Sequence, residues 1–276
     1  MPEAAHSEPD GIIGVFSRAA PTYDRIGPPI FAHFGRRLVE LAQLPAGAHV
    51  LDVATGRGAV LFPAATQVGP SGRVSGIDLS AEMVRETEAA VRRAGWQQID
   101  VQHMSAEELR FPEASFDWVL CGFALWFFPQ PHRALQEFCR VLKPGGRVGL
   151  TTWAEDSPFQ EWCRHVLRPY VPPQAAPGQA PPRFDTPARL EAALQQAGFT
   201  QIRIMSEDGD FIYAQEEEWW ASLWSGAIRR QLEAMAAPVL EQAKTEVCQQ
   251  VRVFKQADGI HTLWRALFAW GTKPGP

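Results

Sequence analysis

The stretch "VLDVATGRGAVLF", Val50–Phe62, decides how the chain is read. Apolar residues end in Asp52, and a turn of small residues with Gly56 and Gly58 follows at once. A buried strand that runs into such a turn and then into a helix leaves backbone N–H groups bare, which suits a bound ligand. A dinucleotide fingerprint would read G-x-G-x-x-G and lay a pyrophosphate against those groups. Here the third spaced glycine is absent, and the carboxylate of Asp52 would repel phosphate. The ligand should carry positive charge or hydroxyl donors instead.

The surroundings agree. The strand "RVSGIDL" (73–79) carries Asp78, 22 residues beyond Gly56, where an acidic side chain grips ribose hydroxyls. A phosphate-free adenosine with a cationic part is S-adenosylmethionine. Around this edge the pattern alternates. Strands are expected at 49–54, 73–79, 99–105, 116–124 and 147–153, with helices at 59–68, 81–95 and 132–142 between them. Single helices alternating with strands predict an α/β, doubly wound and mostly parallel sheet. Residues 11–44 read as helical, with Ile30, Phe31, Phe34, Leu38 and Leu41 at helical spacing. After residue 154 the pattern loosens. Helices are expected at 158–168, 187–197 and 215–256, and strands at 200–207 and 266–273. The segment 169–187 has seven prolines in nineteen residues and reads as a semi-rigid connector. The late strands point to completion of the same sheet rather than to a separate C-terminal domain. The expected organisation is N-terminal lid helices over 1–45 and one domain over 46–276, with cap insertions at 154–186 and 214–262.

Composition narrows the function. The chain has 276 residues, 46% hydrophobic and 21% charged, with a net charge of −5. It has no Lys/Arg block of the kind nucleic acid demands. No apolar run reaches the length of a membrane span, and the polar N-terminus is not a signal peptide. Four scattered cysteines, with no CxxC pair, predict neither a zinc site nor disulfides, and a reducing cytoplasm.

The run "VLDVATGRG", "RVSGIDLSAEMV", "MSAEELRFPEASFDWVLCGFALWFFPQPHRALQEFCRVLKPGGRV" resembles class I S-adenosylmethionine-dependent methyltransferases, in particular the ubiquinone/menaquinone C-methyltransferase type. "VFSRAAPTYDRI" upstream resembles that group's N-terminal helix. The likeness covers about residues 12–153 and implies a seven-stranded Rossmann-like sheet. It also implies that Asp52, Ala54, Thr55, Gly56 and Gly58 line the methionine half of the cofactor. Asp78 would bind the ribose, with Leu79 and Met83 flanking adenine and Ser105, Ala106 and Glu107 at its edge. Cys121 would border the amino acid moiety, and Tyr23 would close over it. Three departures stand out: Ala54 replaces a frequent glycine, Ser105 replaces a frequent Asp, and Pro63 falls early in a helix, where outside the first turn it costs a backbone bond.

Methyl transfer needs an aligned acceptor and a dry site, with a base only if the acceptor holds a proton. Phe123, Trp126 and Phe127, in "GFALWFFPQP", are candidates for the acceptor wall, with core packing as the competing role. Seven of ten tryptophans fall at or after Trp153. Trp219, Trp220 and Trp224 fit an acceptor pocket, helix packing or a homodimer interface. His33 and His261 are the candidate bases. Glu216–Glu218 reads as a solvated helix start. The acceptor implied is a small, largely apolar, aromatic or prenylated molecule methylated on carbon or oxygen. Two other readings stay open: a non-methylating pericyclic or eliminative reaction on the same fold, and a non-catalytic cofactor-binding scaffold.

Overall fold

A computed structural model describes residues 11–170 and 183–275. The polar N-terminal ten residues and most of the proline-rich 169–187 segment lie outside the described residues. In chain order the elements are α1 (Ile12–Ala19), α2 (Ile30–Ala42), β1 (His49–Val53), α3 (Leu61–Val68), β2 (Arg73–Asp78), α4 (Ala81–Ala94), β3 (Ile99–His103) and β4 (Phe116–Gly122). Then come α5 (Pro131–Val141), β5 (Leu142–Trp153), α6 (Pro158–Leu167), α7 (Pro187–Gln196) and β6 (Thr200–Tyr213). The chain continues through α8 (Glu216–Ser222), α9 (Arg229–Glu233), α10 (Ala237–Val251), β7 (Lys255–Gln256) and β8 (Gly259–Thr272).

The sheet runs β3-β2-β1-β4-β5-β8-β6, with the two-residue β7 beside β8. The first five strands pair in parallel, and β8 runs antiparallel to β5. Chain order reverses between β1 and β4, the point where ligands bind outside the carboxyl ends of strands in such sheets. The described chain divides into two compact units. One holds Phe31–Ala154 with the described parts of Pro182–Glu207 and Ala266–Pro276; the other holds Asp208–Arg265 with the described parts of Met1–Ile30 and Glu155–Pro181.

In the sheet unit, Leu51, Val53, Val119, Val148 and Leu150 from adjacent strands bury against Leu135 and Phe138 of α5 and Leu190 and Leu194 of α7. The helix α4 is bounded by its own sequence. Ser80 Oγ accepts from the Met83 amide at one end, and Gly95 adopts the left-handed conformation at the other.

In the second unit, Phe159, Trp162, Trp219, Phe254 and Trp264 form an aromatic cluster, with ring centroids 5.1–6.1 Å apart among its contacting pairs. Edge-to-face and offset contacts of this kind add to the burial that holds these elements together. Arg18 and Arg229 both bond Glu233, tying α1 to α9 and holding that carboxyl down at about 2.

Three sequence expectations change. The single helix over 215–256 is broken into α8, α9 and α10, because Gly226 and Pro238 interrupt it and Pro238 sits in the first turn of α10. Glu216 is not a solvated helix start: it is 5% exposed and paired with Arg252 and Lys255. The strands at 200–207 and 266–273 are both longer, as β6 and β8. The acidic run "SEDGD" does not read as a strand. It stays extended because Arg37 pairs with Glu207 in the sheet unit, while Arg265 and His261 pair with Asp208 and Asp210 in the other.

Candidate functional site

The glycine turn is built as a cradle. Asp52, at the end of β1, is level with Gly76 of β2 and Leu120 of β4, and is 1% exposed. Thr55 Oγ1 donates to it at 2.6 Å. Asp78, at the end of β2, accepts from the Gly56 amide at 2.8 Å and from the Ser80 amide at 2.9 Å. One carboxylate therefore fixes both the turn after β1 and the start of α4. Desolvation pushes the Asp52 carboxyl up to about 7, opposed by the Thr55 bond and reinforced by Asp78. Burial also raises Asp78, against the amides of Ser80 and Gly56. Two desolvated carboxyls facing bare backbone call for a cation and hydroxyl donors, and those are what S-adenosylmethionine presents.

Local sequence explains the shape. Gly58 has φ +85°, and a Cβ there would lie 2.4 Å from the Phe62 ring, so any side chain would be strained and would have to displace that ring. The position of the missing third glycine is Leu61, fully buried at the start of α3. Close helix–strand approach is provided from the other side, since a Cβ on Gly76 would meet Leu61 Cδ1 at 2.9 Å. Pro63 falls in the first turn of α3, where its absent N–H costs nothing. Ala54 has φ +55°, a conformation that burdens any side chain. Ala54→Gly is expected to stabilise the fold by up to about 1 kcal/mol, the relieved strain less glycine's greater entropy in the unfolded chain. A thermal midpoint at or below the parent value would reject that account.

Reasoning from sequence missed the clasp that α4 places on the turn. Thr87 Oγ1 donates to the Gly56 carbonyl at 2.6 Å, and Arg57 pairs with Glu86 at 2.6 Å. The signal was present as a fully buried Thr on the apolar face of α4, but nothing in one sequence says which carbonyl it meets.

The remaining cofactor candidates lie along the same edge. Leu79 is half-buried and its carbonyl is met by His103 Nε2 at 2.9 Å. Met83 is fully buried, Ala106 is buried, and Ser105 Oγ accepts from the Glu107 amide at 3.2 Å. Glu107 is buried and accepts from the Gln130 amide at 2.6 Å, which anchors the loop after β4. The Cys121 thiol is buried with its pKa raised by desolvation, so it is a packed thiol and not a nucleophile.

At the ends of β4 and β5 stands an aromatic wall. Phe123 lies 4.2 Å from Trp153, 5.6 Å from Phe31 and 5.7 Å from Phe34, between ring centroids. Strand alternation would send Phe123 to the same side as Cys121. Its φ of +54° turns the ring onto the other side, where Phe34 and Trp153 are. Trp126 and Phe127, in a single 3-10 turn (Leu125–Phe127), are half-buried and 6.0 Å apart. His33 is half-buried on α2, edge-on to Phe34 at 5.1 Å. Burial first, then Arg36 and Arg37, lower its pKa, so its imidazole is neutral at pH 7.

Tyr23, Trp219, Trp220, Trp224 and His261 belong to the other unit. Tyr23 packs edge-on to Phe16 at 6.0 Å. Trp219 is 1% exposed inside the aromatic cluster and serves as core, and Trp220 is buried too. Trp224 is half-buried with the Arg229 guanidinium over its ring at 5.9 Å. His261 meets Asp210 at 2.6 Å through Nδ1 and Asp258 at 2.8 Å through Nε2. Both carboxylates raise its pKa, and with both ring nitrogens engaged it holds no lone pair ready for an acceptor's proton. Among the described residues no group of side chains could hold a metal ion, and no helix is long and apolar enough to cross a membrane.

A family profile described as a methyltransferase domain matches residues 50–146. Nocamycin O-methyltransferase of Saccharothrix syringae is 34% identical over 228 residues, 78% of this chain and 81% of the relative. Demethylmenaquinone methyltransferase of Listeria monocytogenes is 31% identical over 212 residues, 71% of this chain and 90% of the relative. Among solved structures, the YcgJ protein of Bacillus subtilis superposes with a TM-score of 0.61 at 22% identity, over 88% of this chain and all of that one, a likeness of fold.

Proposed function

Because the chain belongs to the S-adenosylmethionine-dependent methyltransferases, we propose that it methylates a small, flat, largely apolar metabolite held against the wall of Phe31, Phe123 and Trp153, which the fully buried Phe34 backs. The wall is the observation that carries this reading. Four rings converge at the carboxyl ends of β4 and β5, one strand beyond the carboxylate cradle, and such a surface suits an aromatic or prenylated acceptor better than a sugar or phosphate. One relative is named for transfer to oxygen and the other for demethylmenaquinone, so relatives of both kinds share this framework.

The bound cofactor supplies a methyl group on a sulfonium that leaves as a neutral thioether. The chain's own residues bind and orient. Asp78 is assigned to the ribose hydroxyls, and Asp52 with the glycine turn to the cationic end. The wall excludes water and presents the acceptor's edge. An acceptor hydroxyl must lose a proton as it is methylated, and we assign that proton to the neutral imidazole of His33. An acceptor carboxylate or activated carbon asks for no such base.

Incubation with S-adenosylmethionine and a panel of fused-ring phenols, quinones and aromatic carboxylates should yield a product heavier by one CH2 in mass spectrometry. Cofactor binding without any methylated product across the panel would favour the non-methylating reading. With a phenolic acceptor, His33→Ala is expected to lower kcat by about 100-fold, and with a carboxylate acceptor to leave it unchanged. Equal losses on both acceptors would remove His33 as the base. A net charge of −5 without a basic block argues against nucleic acid as a partner. The four cysteines are free, and we place the protein in a reducing cytoplasm.

A further inference from the structure

Among the described residues, three buried side-chain polar atoms lack a hydrogen-bond partner: Thr151 Oγ1, Thr152 Oγ1 and Trp270 Nε1. A hydroxyl sealed from water without a partner is worse for stability than a methyl of the same shape, so its retention asks for a reason. Two of the three are consecutive residues near the carboxyl end of β5, and strand alternation sends them to opposite faces. Thr152, level with Leu267, shares its face with Leu150 in the apolar core. Thr151 shares its face with Trp153 and the aromatic wall.

Beside Thr151 the sheet carries a glycine. Gly122 of β4 is its register partner and keeps its main chain partly exposed. A Cβ on Gly122 would lie 3.7 Å from Thr151 Oγ1 and crowd Val60 Cγ2 at 3.2 Å, so only a glycine, with no side chain to cover the hydroxyl, fits there without a shift. The next residue, Phe123, donates its amide to the Thr151 carbonyl at 2.9 Å while held at φ +54°. An orphan hydroxyl, a bare glycine and a strained backbone thus meet at one point on the sheet edge.

Strand order says which ligand reaches that point. Asp78 is on β2, Asp52 on β1, Gly122 on β4 and Thr151 on β5. Strands are spaced about 4.8 Å apart, so Thr151 stands roughly 14 Å along the edge from the ribose-binding strand, past the nucleoside and on the acceptor's side. We propose that the Thr151 hydroxyl hydrogen-bonds an oxygen substituent on the otherwise apolar acceptor, and so decides which ring position faces the methyl donor. A threonine hydroxyl both donates and accepts, so it serves a carbonyl, a phenol or a carboxylate alike. The inference rests on the apolar-acceptor reading above.

The test uses a pair of probes of one shape, 2-naphthol and 2-methylnaphthalene, titrated calorimetrically into the protein saturated with S-adenosylhomocysteine. The parent should prefer 2-naphthol by about tenfold. Thr151→Val should erase that preference, while Thr151→Ser and Thr152→Val should keep it. Both valine variants should melt higher than the parent, which shows that they fold. S-adenosylhomocysteine should bind Thr151→Val as tightly as the parent. A preference that survives Thr151→Val overturns the inference, and so does a loss of S-adenosylhomocysteine affinity, which would give the hydroxyl to the cofactor's carboxylate. A parent that binds both probes equally keeps the apolar acceptor and removes Thr151's role. A parent that binds neither overturns the acceptor reading itself.

Discussion

Asp78→Ala is expected to lose at least about 100-fold in affinity for S-adenosylmethionine. Its carboxylate already accepts from two backbone amides, Gly56 at 2.8 Å and Ser80 at 2.9 Å, so it shapes the cradle in addition to the ribose contact we propose for it. Hydrogen bonds to a charged group are worth about 1.5–3 kcal/mol each, and losing two to the ribose alone amounts to about 3 kcal/mol or more. The amides freed by the truncation must find water, which loosens the turn and the start of α4 further. Asp78→Asn, which keeps an acceptor for one amide, should fall between the parent and the alanine variant. Circular dichroism melting would confirm that each variant folds, and titration calorimetry would read the affinity. An alanine variant within threefold of the parent would sink the ribose assignment.

The second large effect is one of pH. Because desolvation lifts the Asp52 carboxyl to about 7, the group is mostly protonated in the cofactor-free protein below that pH. A cationic ligand favours the carboxylate, so affinity for S-adenosylmethionine should fall about tenfold per pH unit below about 7 and level off above it. Stability has the opposite sign. The folded pKa, about 7, lies above the ordinary 3.8, so the folded chain holds the extra proton in between. Asp52 therefore takes stability away as pH rises from about 4 to about 7, and no more above that. Asp52→Asn should flatten both dependences. The parent-minus-variant difference in melting temperature, read from pH 5 to 8, isolates this group from the other carboxylates. A pH-independent difference, together with flat cofactor affinity, would show that Asp52 ionises normally.

Legibility varied from element to element for physical reasons. The parallel half of the sheet was readable because each buried strand is a short apolar run closed by a turn signal, and each helix has one apolar face. The spacing from Gly56 to Asp78 was readable because the β-turn-helix-β unit fixes where the second strand ends. The acidic stretch of β6 was not readable, since Glu207, Asp208 and Asp210 favour extended structure only once Arg37, Arg265 and His261 face them. The first half of β8, before residue 266, was not readable either, because pairing with neighbouring strands carries it through residues that alternation alone would leave out.

Site residues divided along the same line. Asp52 and Asp78 were singled out by type and position, and geometry then added the hydrogen bonds they accept and the burial that lifts the Asp52 carboxyl. His261 looked like a base by type, and two carboxylates engage both of its ring nitrogens and favour its protonated form. Trp219 looked like a pocket residue, and four neighbouring aromatic residues make that region a core.

By itself, the sequence determined that a strand ending in a carboxylate runs into a turn of small residues and that a second carboxylate follows 22 residues beyond Gly56, the pattern from which the cofactor was read. These are local facts, set by residue type and by spacing along one chain. Only the tertiary structure decided that Phe123 turns back to join Phe31, Phe34 and Trp153, and that the Thr151 hydroxyl is left without a partner beside Gly122. Those relations join residues from separate elements, and side-chain packing and backbone strain between strands have no signature in the order of residues along either one.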